Sequence, residues 1–253
     1  MRKAISIGSV IMILAAVVFA GNDPWKAKPY QQWDEKDVRK ILGDSPWSKV
    51  IQVDATWKSI KDFSADDSSQ PPATNPPSPV AKMGQSPPTS ATAGGTSVDS
   101  GSSASQATFA VRWVSSRTLQ RAAVRSAELA GQMKPEDAEK QLASVPDVYE
   151  IGVSGPDMRP FRSADEDTLK LSAALIDKKS KQKISPSKVD ISRTADGKKV
   201  QAVAFIFPKK AGNGEPAIPE DEKSVDFNCD INGAKIHASF DISKMQDHQG
   251  RDL

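Results

Sequence analysis

Cysteine is almost missing from this chain, with Cys229 alone among 253 residues. A single thiol cannot staple a domain, so the fold must rest on an apolar core, and a chain of this length can build one. Histidine is nearly as rare, present only as His237 and His248. Without an H-E-x-x-H or C-x-x-C spacing, two histidines argue against the usual structural and catalytic zinc sites, and no metal or other cofactor is expected. An excess of one charge is absent too. Lysine and arginine number 34 against 32 acidic residues, and Arg2 and Lys3 are the whole of that difference. A phosphate backbone rewards a basic stripe, so neither nucleic acid nor an anionic membrane is an expected partner. Lys178, Lys179, Lys181 and Lys183 read as a solvated turn.

Complete catalytic signatures are also lacking, with neither G-x-S-x-G nor S-x-x-K and its partner motifs in evidence. Gly152-Val153-Ser154-Gly155-Pro156 reads as a strand end and a turn. Asp165, Glu166 and Asp167 form an acidic run of the kind that is usually solvated, whereas glycoside chemistry needs carboxylates on facing positions. Gly212-Asn213-Gly214 lacks the third glycine and the helix of a phosphate loop. The spacing D-x-N-x-D-x-N-G over Asp226 to Gly233 invites a calcium reading. Counted from Asn228, though, the closing position is Ser239 rather than a bidentate carboxylate. The same alternation places Val225, Phe227, Cys229 and Ile231 on a core face, where a thiol is an unreactive small hydrophobe.

Long apolar runs are confined to one place, Ala4 to Phe19, preceded by Arg2 and Lys3 and followed by the small residue Ala20. This is the pattern of a secretory signal peptide. The run is about fifteen residues, where a helix spanning hydrocarbon needs roughly twenty. Cleavage is expected after Ala20, giving a mature chain from Gly21 in the periplasm or outside the cell, with no stable membrane anchor. A lipoprotein signal would place cysteine where Gly21 stands.

Residues 64–106 contain no aromatic residue, leucine or isoleucine, and about three-fifths of them are Ser, Pro, Gly or Thr. Such a segment cannot offset its ordering entropy and is expected to be disordered. On either side lie alternating patterns: Ile51, Val53, Ala55 and Trp57 before it, Phe109, Val111 and Trp113 after it. The simplest arrangement pairs these strands antiparallel around an oversized loop. The expected organisation is a signal peptide (1–20), the first part of one domain (21–63), a disordered insertion (64–106), the rest of that domain (107–247) and a tail (248–253).

Asp34 can cap a helix to about Leu42, ended by Gly43, and Ser45-Pro46 reads as the cap and first position of another turn. Ser115 or Ser116 opens a longer helix that stops at Gly131, and Pro135 begins another to about Ser144. Beyond Val148 the spacing predicts strands over 148–153, 168–177, 188–193, 199–207, 224–231 and 235–242. Asp196-Gly197 and Asn232-Gly233 are hairpin signals. The sum is an α+β protein with a mostly antiparallel sheet and helices concentrated in the N-terminal half.

Trp25, Trp33, Trp47 and Trp57 cluster early in the mature chain with Tyr30. Exposed, such rings bind sugars; buried, they anchor short helices to a sheet, and Trp33 and Trp47 are the strongest candidates for burial. Lys28-Pro29-Tyr30-Gln31-Gln32-Trp33, Asp37-Val38 and Asp44-Ser45-Pro46-Trp47, with the later Arg112-Trp113-Val114-Ser115 and Phe207-Pro208-Lys209, resemble a group of uncharacterised exported bacterial proteins. The resemblance supports one domain and implies no activity. The functional expectation is a non-catalytic binding or structural module of the cell envelope or exterior, with an envelope protein or polysaccharide as partner. An envelope hydrolase and a carbohydrate-binding module using exposed tryptophans are the alternatives. Limited proteolysis should cut within 64–106 and leave two fragments that co-elute in native gel filtration; fragments that separate would mark an interdomain linker.

Overall fold

The structure is a computed structural model that describes residues 23–59, 106–143 and 147–253. The signal peptide with its cleavage site, and the low-complexity segment up to Ser105, lie outside the described residues. The fold is α+β with antiparallel sheets, and among the described residues there are five α-helices and eleven strands. The helices are α1 (Pro24–Ala27), α2 (Glu35–Gly43), α3 (Arg117–Leu129), α4 (Pro135–Ala143) and α5 (Glu166–Ser172). None of them is long and apolar enough to cross a membrane.

The first sheet has the order β1-β2-β3-β7-β6, built from β1 (Ser48–Asp54), β2 (Gln106–Trp113), β3 (Val148–Ser154), β7 (Val200–Pro208) and β6 (Lys188–Arg193). The two strands that flank the low-complexity segment pair antiparallel, from Ser48 opposite Arg112 to Asp54 opposite Gln106. The second sheet has the order β5-β4-β8-β9, from β5 (Lys183–Ile184), β4 (Ala173–Asp177), β8 (Ser224–Ile231) and β9 (Ala234–Asp241). Period-two alternation points one row of each sheet inward. Phe205 and Phe207 meet Phe227 across the gap, and Trp113 meets Phe240 edge-on at 5.3 Å between ring centroids. One hydrophobic cluster takes side chains from both sides of the low-complexity segment, Trp25 to Trp57 and Ala107 to Met245.

Local chemistry explains most of the boundaries. Asp34 accepts from Asp37 N while the Asp37 side chain accepts from Asp34 N, a capping box that starts α2. Ser116 accepts from Leu119 N at the head of α3. At its end, Gly131 takes φ +68° while Gln132 N and Gly131 N donate to the carbonyls of Ala127 and Glu128, a Schellman closure. Asn232 and Gly233 both have positive φ, as a two-residue type I′ turn between β8 and β9 demands.

Three expectations are corrected. Residues 168–177 are not one strand: α5 runs to Ser172 before β4 begins. The Asp165 side chain accepts from Thr168 N at 2.8 Å, and Glu166 pairs with Lys170 one turn on, so the acidic run is a helix start. Ser45-Pro46 opens a β-turn closed by Ser48 N on Ser45 O, because the chain must reverse to enter β1. The first strand also stops at Asp54, and Trp57 is buried from a 3-10 turn over Thr56–Ser59.

The final residues are no loose tail. Gln246–Asp247 and Gly250–Arg251 form a small hairpin, β10 and β11, and the Asp252 side chain is buried. Its carboxylate accepts from Arg117 N at 2.7 Å and Thr118 N at 2.9 Å, the two donors at the head of α3 that Ser116 leaves free. Its backbone carbonyl accepts from Trp47 Nε1 at 2.7 Å. Arg117 and Arg121 both pair with Asp247. Burial pushes the Asp247 carboxyl up, but the Arg117 and Gln249 hydrogen bonds and the two arginine charges outweigh it and hold the group below the usual range. Its stabilising contribution is therefore complete above the ordinary Asp pKa and is lost as pH falls through the depressed folded value. Asp252→Ala should lower folding stability by about 2–4 kcal/mol, read as a shift in the urea midpoint, because it strips a buried carboxylate from a helix head; a shift within error would show that the terminal hairpin does not hold α3.

Candidate functional site

The end of α2 is where three short segments meet. Its last carbonyls need donors, since a helix end leaves them unsatisfied. Ser45 Oγ donates to Ile41 O at 2.7 Å, Ser48 Oγ to Leu42 O at 2.7 Å, and Arg112 Nε to Leu42 O at 2.8 Å. Arg112 comes from the outward row of β2, opposite Ser48 on β1 and Gly152 on β3. A side chain at Gly152 would have no room, because its Cβ would lie 2.8 Å from Val114 Cγ2.

Beside this junction, between α2, α3, α4 and the outer face of β2, lies a cleft of about 550 Å³. Its walls are Leu42, Val114, Leu119, Ala123 and Leu142, with Gln120, Gln141 and Arg112 as the polar groups. That volume and that ratio of apolar to polar lining are those of small-molecule sites. Among the described residues the single charge on the wall is the Arg112 guanidinium.

Arg112 is half-buried, and no carboxylate among the described residues compensates it. Its hydrogen bonds go to Leu42 O and, from Nη1, to Ser154 Oγ at 3.4 Å, and Nη2 has no partner among the described residues. Burial alone lowers its pKa from the ordinary arginine value, with no neighbouring charge contributing. A guanidinium keeps its proton regardless. By contrast Arg117 and Arg121 pair with Asp247, Arg125 with Glu128, and Arg159 with Asp157. The α2 terminus offers Arg112 about half a negative charge, so the cation is only partly neutralised.

A second, smaller pocket of about 270 Å³ brings together Trp25, Tyr30 and Trp33 with Lys28, Thr118, Arg121 and His248. Its cations are committed elsewhere: Lys28 to Asp37 at 2.8 Å and Arg121 to Asp247 at 3.1 Å. Its indoles are packed away rather than presented. Trp25 meets Trp47 edge-on at 5.4 Å, and Trp33 Nε1 donates to the carbonyls of Pro24 and Lys28. Trp25, Trp33, Trp47 and Trp57 are each 4% exposed or less, and Tyr30 is half-buried. The early tryptophans are therefore core anchors, and a sugar-stacking surface made of exposed indoles is not formed by them. Trp57 lies apart from the others, its Nε1 on Asp157 Oδ2 and its ring against Phe109.

The other candidates fall on separate surfaces. Asp226 pairs with Lys178, Asn228 bonds His237 across the hairpin, and Asp230 faces solvent, so the D-x-N-x-D alternation is the wet face of β8. Asp165 and Glu166 are spent on the head of α5, where Glu166 also accepts from Val189 N. Sequence reasoning passed over Arg112. The available signal was an arginine on the outward row of β2, next to Val114, with Leu119 and Ala123 one helical turn apart beyond it. No protein-family model matches this chain, and no curated protein or solved structure matches it either.

Cys229 lies inside β8, its thiol 3.6 Å from Ser172 Oγ, and burial pushes its pKa up to about 12. At pH 8 it should resist Ellman's reagent in the folded protein and react fully in guanidinium chloride; rapid labelling of native protein would place the thiol at the surface.

Proposed function

We propose that this is an exported, non-catalytic binding protein of the cell envelope or exterior, and that the cleft between α2, α3, α4 and β2 holds a small, largely apolar ligand. Export rests on the signal pattern of residues 1–20. Binding rests on one observation: an apolar cleft of about 550 Å³ whose only charge is a half-buried arginine without a carboxylate partner among the described residues. Arg112 Nε serves the end of α2, but the guanidinium is left without a counter-ion among the described residues, and an unpaired charge taken from water costs free energy. Three of the four elements that form the walls, α2, α3 and β2, send side chains into the core, and α4 packs on α3, so most of the wall is held in place without ligand.

The neutral dye N-phenyl-1-naphthylamine should bind the protein with a rise in fluorescence. Ala123→Phe, which places a ring in the cleft from an exposed helix position, should weaken that binding by about tenfold or more while leaving the melting temperature nearly unchanged. No fluorescence gain, or a gain that Ala123→Phe does not touch, would remove the cleft from consideration.

A further inference from the structure

The polarity of the cleft selects its occupant more narrowly than its volume does, and this step rests on the binding reading above. We infer that the ligand is an amphiphilic carboxylate: an apolar body lying against Leu42, Val114, Leu119, Ala123 and Leu142, with its carboxylate held by Arg112.

The donor count supports this assignment. A guanidinium offers five N–H groups in one plane, and Arg112 commits Nε to Leu42 O and Nη1 to Ser154 Oγ. The commitment at Nε holds the plane in place from the helix side. Nη2 has no partner among the described residues, and its hydrogens are donors that a carboxylate can accept from with charge assistance. A neutral alcohol or amide supplies a single acceptor and no charge. A cationic head would meet the guanidinium directly and be repelled.

Electrostatics point the same way. The half charge of the α2 terminus leaves the guanidinium short of full compensation, and a monoanion completes it. In an apolar cleft the attraction is stronger than at an open surface, because fewer waters screen it. The remaining polar side chains of the wall, Gln120 and Gln141, are neutral, and the partial negative charge of the α2 terminus is met by Arg112 Nε on Leu42 O. Gln120 Nε2 lies 3.4 Å from Ser115 O, at the head of α3, which directs that amide toward backbone rather than toward a second ionic group.

The test is a head-group series of fixed chain length, each compound displacing N-phenyl-1-naphthylamine below its micellar concentration: decanoate, decan-1-ol and decyltrimethylammonium. Decanoate should displace the dye at concentrations about tenfold or more below the other two, since a hydrogen-bonded charge pair is at stake. Arg112→Gln should erase that advantage and leave decan-1-ol unchanged. Arg112→Lys, which keeps charge but loses the planar fork, should retain only part of it. Because Arg112 also serves the end of α2, the head-group series on unaltered protein decides the matter even where a variant fails to fold. Decanoate binding no better than decan-1-ol, with dye binding intact and sensitive to Ala123→Phe, would overturn the carboxylate and keep the cleft. Loss of dye binding itself would instead overturn the reading on which this one rests.

Discussion

Asp252 is the residue on which the other contacts converge. Its carbonyl holds the Trp47 indole, its carboxylate closes the head of α3, and its N–H donates to Met245 O. These bonds join different parts of the chain, and those to Trp47 and Thr118 are buried. In a protein with one cysteine, this convergence performs the task that disulfides perform in many exported domains. It ties distant segments to one point. The difference is chemical. A covalent bridge is indifferent to acid, whereas the Arg117–Asp247 pair beside this one depends on a carboxylate that must stay ionised.

The same economy shapes the cleft. The α2 terminus must find donors for its carbonyls, and the segment Asp44-Ser45-Pro46-Trp47 turns back so that Ser45 and Ser48 supply two of them. Arg112 supplies a third from the neighbouring strand. Trp113 N then donates to Trp47 O, which locks the two tryptophan segments together beneath the cleft. A helix end finished by serines alone would have been satisfied without charge. Using an arginine leaves donors over, and those spare donors are the basis of the carboxylate selectivity proposed above.

Much of the fold was legible because its signals are local. Asp34, Ser116 and Gly131 mark helix ends by their own chemistry, and Asn232-Gly233 forces a turn whatever surrounds it. Alternation told the inner row of β8 from its outer row, including the burial of Cys229. What misled was ambiguity between periods: in 168–177 Leu169, Leu171, Ala173 and Leu175 alternate like a strand, while the acidic residues before them start a helix. Leu171, one of the apolar residues in that alternation, ends up 86% exposed. The site was less legible than the fold. Arg112 looks like any outward strand residue until α2, α3 and α4 are placed around it, and the final residues carry no apolar pattern because they are held by hydrogen bonds instead. The tryptophans drew attention as possible ligand groups, yet their role is to fasten short helices to the sheets.

The bond between Trp47 and Asp252 joins residues 205 positions apart. Loop-closure entropy must be overcome before such a contact returns any stability. The first sheet is likewise assembled from strands scattered between Ser48 and Pro208, and the sheet that faces it is complete only with β8 and β9. The core of the N-terminal half is therefore completed by side chains from the far end of the chain. A narrow translocation channel admits an unfolded chain, and a fold whose closing contacts come from its last residues is compatible with the export proposed above.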